Sequence, residues 1–171
     1  MRLFVAVRPS AEALGHAAAA VDAVRAVETG PRWVPPERWH LTLAFYGDVD
    51  DRDLPRVTRR IDRGLADVPP MTLSVTGAGS FSRRAVWLGV SGDVEVLRQA
   101  AYGVAVDDRA YHPHLTVARL RGGTDPAGAV AALSSYTGPP WTADEVHLVR
   151  SQLGPRPTYD DIDTWPLVAP S

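Results

Sequence analysis

The run Trp39-His40-Leu41-Thr42-Leu43-Ala44-Phe45-Tyr46 decides the fold, because its centre, His40-Leu41-Thr42-Leu43, returns half a chain later as His114-Leu115-Thr116-Val117. Each copy reads His, apolar, Thr, apolar, and the residues that follow continue it as a strand. Side chains alternate across a strand, so His and Thr share one face while Leu41, Leu43, Leu115 and Val117 turn to the other. Each copy offers an imidazole and a hydroxyl to a surface and apolar weight to a core behind it. Two such copies predict two similar halves, each giving one His-x-Thr strand to a shared cleft.

The 171 residues have the size of a single domain, residues 1–171, built as two lobes and long enough to bury a core. Hydrophobic content of 45% with 22% charged residues is that of a soluble globular protein. No apolar run approaches the roughly 18 residues that span a bilayer, and Met1–Arg8 is too short and strand-like for a signal peptide. The expected location is the cytoplasm, with no membrane association. The chain has no cysteine, which excludes disulfides, zinc-thiolate sites and thiol nucleophiles. A net charge of −2 argues against coating nucleic acid through a broad basic surface, but a substrate with one or two phosphates needs only a few local arginines.

Outward from the first motif, residues 2–8 read as a strand buried on both faces, and Ser10 as the N-cap of an alanine-rich helix reaching about Val27. Pro35-Pro36 turns the chain into the first motif strand. A helix over 51–66 carries Leu54, Val57, Ile61 and Leu65 on one face; Arg56, Arg59, Arg60 and Arg63 on the other read as a solvated face. Strands follow at 71–76 and 85–90, with a bend at Gly77-Ala78-Gly79, then a helix over 94–104 and the second motif strand over 111–120. A helix over 126–133 and strands over 145–153 and 159–166 complete the chain. Interleaved strands and helices in both halves predict an α+β fold: a bilobal, pseudo-twofold arrangement of two antiparallel sheets, outer helices, and a central cleft.

Two facing histidines suit cleavage of a phosphodiester, with a base on one side and an acid on the other. Imidazole is found in either protonation state near neutral pH, and each positioned proton transfer contributes about 10²- to 10⁴-fold. Thr42 and Thr116 add hydroxyl donors where charge gathers on the phosphate oxygens. His112 and His114 also share a face at His-x-His spacing, a metal reading that Pro113 and the lack of a nearby carboxylate make the poorer one. Tyr46 falls on the face of His40 and Thr42 by alternation, as a surface for stacking on a base, and Phe45 falls to the core.

These residues resemble the two-histidine phosphoesterases, and among them the bacterial and archaeal 2′-5′ RNA ligase group, better described as RNA 2′,3′-cyclic phosphodiesterases. RWVPPERWHLTLAFYGDV (32–49), FSRRAVWLGV (81–90), YHPHLTVARLR (111–121) and LVRSQLGPRPTY (148–159) resemble the group's blocks in order. The resemblance implies hydrolysis of a 2′,3′-cyclic phosphate to a 2′-phosphomonoester without metal or cofactor, on RNA ends or small cyclic nucleotides, with no obligatory protein partner. It implies that His40 is the general acid and His114 the general base, although the pseudo-symmetry permits the reverse. Thr42 and Thr116 would bind phosphate oxygens. Arg119 occupies the family's basic position, yet alternation puts it on the face opposite His114; either a bulge re-aims it or it serves structure. Arg150 and Ser151 are candidate rim contacts. The same motifs would serve a phosphodiesterase acting on another cyclic or 2′-5′ linked nucleotide, or a module that binds RNA ends without turnover. Reversible 2′-5′ ligation is a further expectation, and the site needs only a monomer.

Overall fold

In the computed structural model, which describes residues 1–170, the chain runs β1 (Arg2–Val7), α1 (Ala11–Arg25), β2 (Arg32–Trp33), β3 (Leu41–Asp48), α2 (Leu54–Leu65), β4 (Met71–Phe81), β5 (Ala85–Gly92), α3 (Val94–Val104), β6 (Leu115–Arg119), α4 (Ala127–Leu133), β7 (Trp141–Ala143), β8 (Glu145–Gln152) and β9 (Thr158–Pro166). Every strand pairing is antiparallel, in the order β7-β4-β5-β6-β3-β1-β8-β9, with β2 on β6. The expected α+β architecture is present, its two four-stranded halves joined at their inner edges by a single residue pair, Leu41 opposite Leu115. The two motif strands diverge on either side of that pair, and β2 fits against β6 where they part.

Local chemistry explains the elements. The Ser10 Oγ accepts the Ala13 N–H at 3.1 Å and starts α1, which buries Ala13, Ala17, Val21 and Val24. In α2 the buried set is Val57, Ile61 and Leu65. That helix packs on α3 so closely at Gly64 and Gly103 that a Cβ on either would overlap the other's backbone. The helices pair across the halves, α2 with α3 and α1 with α4. One core runs through both lobes, with Leu41 and Leu115 fully buried at the junction. β1 is buried on both faces as expected: Leu3, Val5 and Val7 join that core, while Phe4 and Ala6 pack with Val149 and Tyr159 on the other side.

Two details differ from the sequence reading. Gly77, at φ +72°, does not end a strand but sits in a bulge between Val75 and Ala78 within the eleven residues of β4. The three residues of β7, after Pro139-Pro140, were too few to show a period; they pair with Met71 to Leu73.

Candidate active site

The two motif strands are not regular, and their irregularity sets the site. Against β5, Thr116 pairs with Trp87 and Ala118 with Val86, so Val117 is an extra residue. Against β1, Thr42 pairs with Ala6 and Ala44 with Val5, so Leu43 is the extra residue at the equivalent place. Both strands accordingly read buried, half-buried, buried, buried, exposed from their first leucine. A bulge shifts alternation by one, so the fifth residue returns to the face of the threonine. Arg119 is thereby re-aimed into the cleft beside His114, the first of the two alternatives left open by the sequence. The same shift overturns the expectation for Phe45 and Tyr46. Phe45 is 48% exposed, with the Arg2 guanidinium 4.7 Å from its ring centre, while Tyr46 leaves the cleft and donates its hydroxyl to the Val104 carbonyl at 2.7 Å.

His40 and His114 stand just before their strands and are held alike. His40 Nδ1 lies 2.7 Å from the Arg38 carbonyl, and His114 Nδ1 lies 2.6 Å from the His112 carbonyl. A carbonyl has no proton to give, so each Nδ1 carries the hydrogen and each Nε2 is left with its lone pair. Aromatic rings pack each imidazole. Phe4 stacks on His40 at 4.7 Å between centroids with Tyr159 edge-on at 5.4 Å, and Phe81 meets His114 edge-on at 4.8 Å. Burial lowers the His40 pKa to about 4, against the upward pull of the Arg38 carbonyl and with further lowering by the charges of Arg8, His114 and Arg119. His114 is lowered by the same causes in the same order, burial first, its carbonyl opposing and Arg119 and His112 adding. Both imidazoles are neutral at neutral pH.

The cleft encloses about 810 Å³ and brings together His40, Thr42, His114, Thr116 and Arg119. Its walls add Arg32, Arg38 and Arg84, and no carboxylate side chain. Four arginines line the same cleft as two neutral imidazoles and two hydroxyls, a set suited to an anion, and the charge of Arg119 acts on both imidazoles.

A family model for the 2′-5′ RNA ligase superfamily matches residues 13–155. The chain belongs to this superfamily. An RNA 2′,3′-cyclic phosphodiesterase of Methanothermobacter thermautotrophicus is 30% identical, over 98% of this chain and 99% of that one. Its namesake in Archaeoglobus fulgidus is 32% identical over 95% and 98%. Among solved structures, E. coli LigT complexed with phosphate superposes with a TM-score of 0.75 at 27% identity, each chain 98% covered; LigT complexed with 3′-AMP gives 0.72 at 26% with the same coverage.

In this member of the superfamily, two of the expected rim residues are elsewhere. Arg150 is 3.1 Å from Asp160 within the β8–β9 pair, and Ser151 is paired between Arg2 and Tyr159; neither lines the cleft. The imidazole of His112 opens on a neighbouring hollow, and its carbonyl is what holds His114. The sequence reading missed Arg32 in β2, Arg38 between β2 and β3 and Arg84 between β4 and β5 as cleft residues, although the first two fall in the 32–49 block and the third in the 81–90 block. It also missed the aromatic packing, although Phe4 and Trp87 lie on β1 and β5, the strands that flank the two motif strands. At the cleft mouth the turn between β4 and β5 holds Ser82 and Arg83 at φ +45° and +55°, a left-handed turn built without glycine.

Proposed function

We propose that this protein is an RNA 2′,3′-cyclic phosphodiesterase that needs no metal and acts through paired histidines, with the whole of residues 1–171 as the functional unit because each lobe supplies one His-x-Thr. The observation that carries the reading is the pseudo-symmetric pair of imidazoles, each fixed through Nδ1 and free at Nε2, in a cleft walled by arginines. The similarity to relatives named for this activity, and to a protein solved with phosphate and with 3′-AMP, supports the substrate class.

The cyclic phosphate sits between the rings, its oxygens held by Thr42, Thr116 and Arg119. His114 Nε2 takes a proton from water as the oxygen attacks phosphorus. His40, protonated on Nε2, delivers its proton to the departing 3′ oxygen, and a 2′-phosphomonoester remains. A 5′-hydroxyl in place of water makes a 2′-5′ linkage by the same transfers, so ligation is the minor route. RNA ends or small cyclic nucleotides are the substrates, and the cytoplasm is the compartment in which they are met. Among the described residues no helix is long and apolar enough to cross a membrane.

The test is incubation with a nucleoside 2′,3′-cyclic phosphate in excess EDTA, with separation of the 2′- and 3′-monophosphates. Formation of the 2′-phosphate, and loss of about 10²-fold or more in kcat for each of His40→Ala and His114→Ala, is expected. Product only after metal is restored, or a histidine variant with near-normal turnover, overturns the proposal.

A further inference from the structure

The pseudo-twofold axis that passes between Leu41 and Leu115 gives the site two arms. In one, the residues leading into β3 lie beside Arg119 and form the arginine wall of the cleft. In the other, the residues leading into β6, from Ala105 to His112, lie beside Phe45, the bulge-equivalent of Arg119. This second arm is a hollow of about 310 Å³ that shares Thr42, Phe81 and His114 with the cleft. It is mainly apolar where the first is cationic: Phe45, Tyr102 and Val106, three of the exposed large hydrophobic side chains of the fold, stand in it at 48%, 52% and 51% exposure, and its two charged residues, Asp107 and Arg109, are paired with each other at 3.0 Å. Val106 also lines the next hollow, of about 280 Å³, together with Arg56 and Arg60 and with the carboxylates Asp48 and Asp53. The two arginines in turn belong to the face of α2 that carries Arg59 and Arg63.

Resting on the RNA-end reading of the cleft, we propose that this apolar arm and the arginine face of α2 beyond it form a track for the single-stranded RNA that leads to the cyclic phosphate. An RNA bearing a 2′,3′-cyclic phosphate extends only toward its 5′ side, so the chain leaves the cleft in one direction. Exposed aromatic surface followed by exposed cations is what an unpaired strand requires: the part of the Phe45 ring that the Arg2 guanidinium leaves open for the base next to the terminal nucleotide, then guanidinium groups for the phosphates behind it. The remaining charges agree with this division. Arg60 is committed to the Ala105 carbonyl at 2.7 Å and shapes the arm, and Arg56 is tempered by Asp53 at 3.6 Å. Arg59 and Arg63, exposed on the same helix face, make no ion pair among the described residues. The net charge of −2 is compatible with this, because four arginines on one helix make a local track without a basic surface.

The proposal is tested with Phe45→Ala and the double variant Arg59→Ala/Arg63→Ala. Binding of a fluorescent single-stranded RNA decamer ending in a 2′-phosphate is followed by anisotropy at several salt concentrations, and kcat/KM is measured on a mononucleotide and a decamer, each with a 2′,3′-cyclic phosphate. Phe45→Ala should weaken decamer binding by roughly 5- to 100-fold, the range for loss of one stacked base. The double variant should weaken it by about tenfold at low salt and flatten the log–log salt slope by about 1.4, since each of the two single-strand phosphate contacts contributes about 0.7. Mononucleotide kcat/KM should stay within twofold of wild type in both. Decamer binding as tight in the double variant as in wild type, or no decamer binding by wild type, overturns the track. Failure of wild type to turn over the mononucleotide would fault the reaction assignment, and the binding comparison would still decide the track.

Discussion

Phosphate in the cleft should switch on the acid of the pair. His40 titrates near pH 4 in the free protein because burial against Phe4 and Tyr159 penalises its cation and the charges of Arg8, His114 and Arg119 oppose it. At that value only about one molecule in a thousand carries the imidazolium at pH 7, too few for an efficient proton donor. An anion bound against Nε2 reverses the balance. A unit negative charge about 4 Å away at an effective dielectric of 20 contributes about 4 kcal/mol, a thousandfold in proton affinity, and brings half-protonation of His40 to about neutral pH. In the proposed mechanism substrate thus prepares its own acid, with the imidazoles neutral until phosphate arrives. The assay is NMR titration of the histidine ring protons, assigned with His40→Gln, in the free protein and with saturating inorganic phosphate. A His40 midpoint near 6.5 in the free protein would refute the burial argument. An unchanged midpoint in phosphate would refute the coupling, and the proton donor would then have to be sought elsewhere.

Three further outcomes follow from the packing. Because the folded pKa values of His40 and His114 lie below the unfolded value near 6.5, the unfolded chain takes up protons that the fold refuses as pH drops; the stability is complete above pH 6.5 and is lost between there and about pH 4, by roughly 3 kcal/mol for His40. Urea midpoints at pH 7 and 4.5 should show this, with a shallower dependence in His40→Gln; identical midpoints would contradict it. Arg83→Gly relieves a left-handed residue at φ +55° and should raise Tm by about 2–4 °C, a gain of about 1 kcal/mol; a lower Tm would mean that the turn is held by contacts of the arginine itself. Gly64→Ala forces backbone against backbone at Gly103 and should cost about 2 kcal/mol or more, whereas Gly15→Ala, with nothing within 4 Å of the added carbon, should be neutral or mildly stabilising; equal unfolding temperatures for the two would refute the close-packing argument.

Where the sequence reading succeeded, a local period or a repeated motif carried the signal. The helices declared themselves by buried residues three and four apart, as in Val57, Ile61 and Leu65. The cleft declared itself by the repeat of His-x-Thr, which required only that two strands be equivalent. Three of the failures share one cause. Strict alternation assigned Phe45 to the core, Tyr46 to the cleft and Arg119 away from it, and all three assignments were inverted by one extra residue after each threonine. A bulge depends on pairing with a neighbouring strand, here β1 for Leu43 and β5 for Val117, so no window along a single strand contains it.

A trace of it is nonetheless present in the sequence. Regular alternation would give a cleft-facing place to Ala44 and Ala118, residues with nothing to offer a phosphate, and would bury the cationic Arg119. Burying an unpaired guanidinium costs far more than a bulge, so the pattern Thr-apolar-Ala-Arg is consistent only if the register slips by one before the arginine. The equivalence of the two halves then requires the same slip in Thr-Leu-Ala-Phe, and exposes Phe45. Arg119 and Phe45 are thus one decision made twice by the backbone: the same bulge turns a cation to one arm of the site and an aromatic ring to the other, and the chemical asymmetry between phosphate and base is written on a symmetric frame.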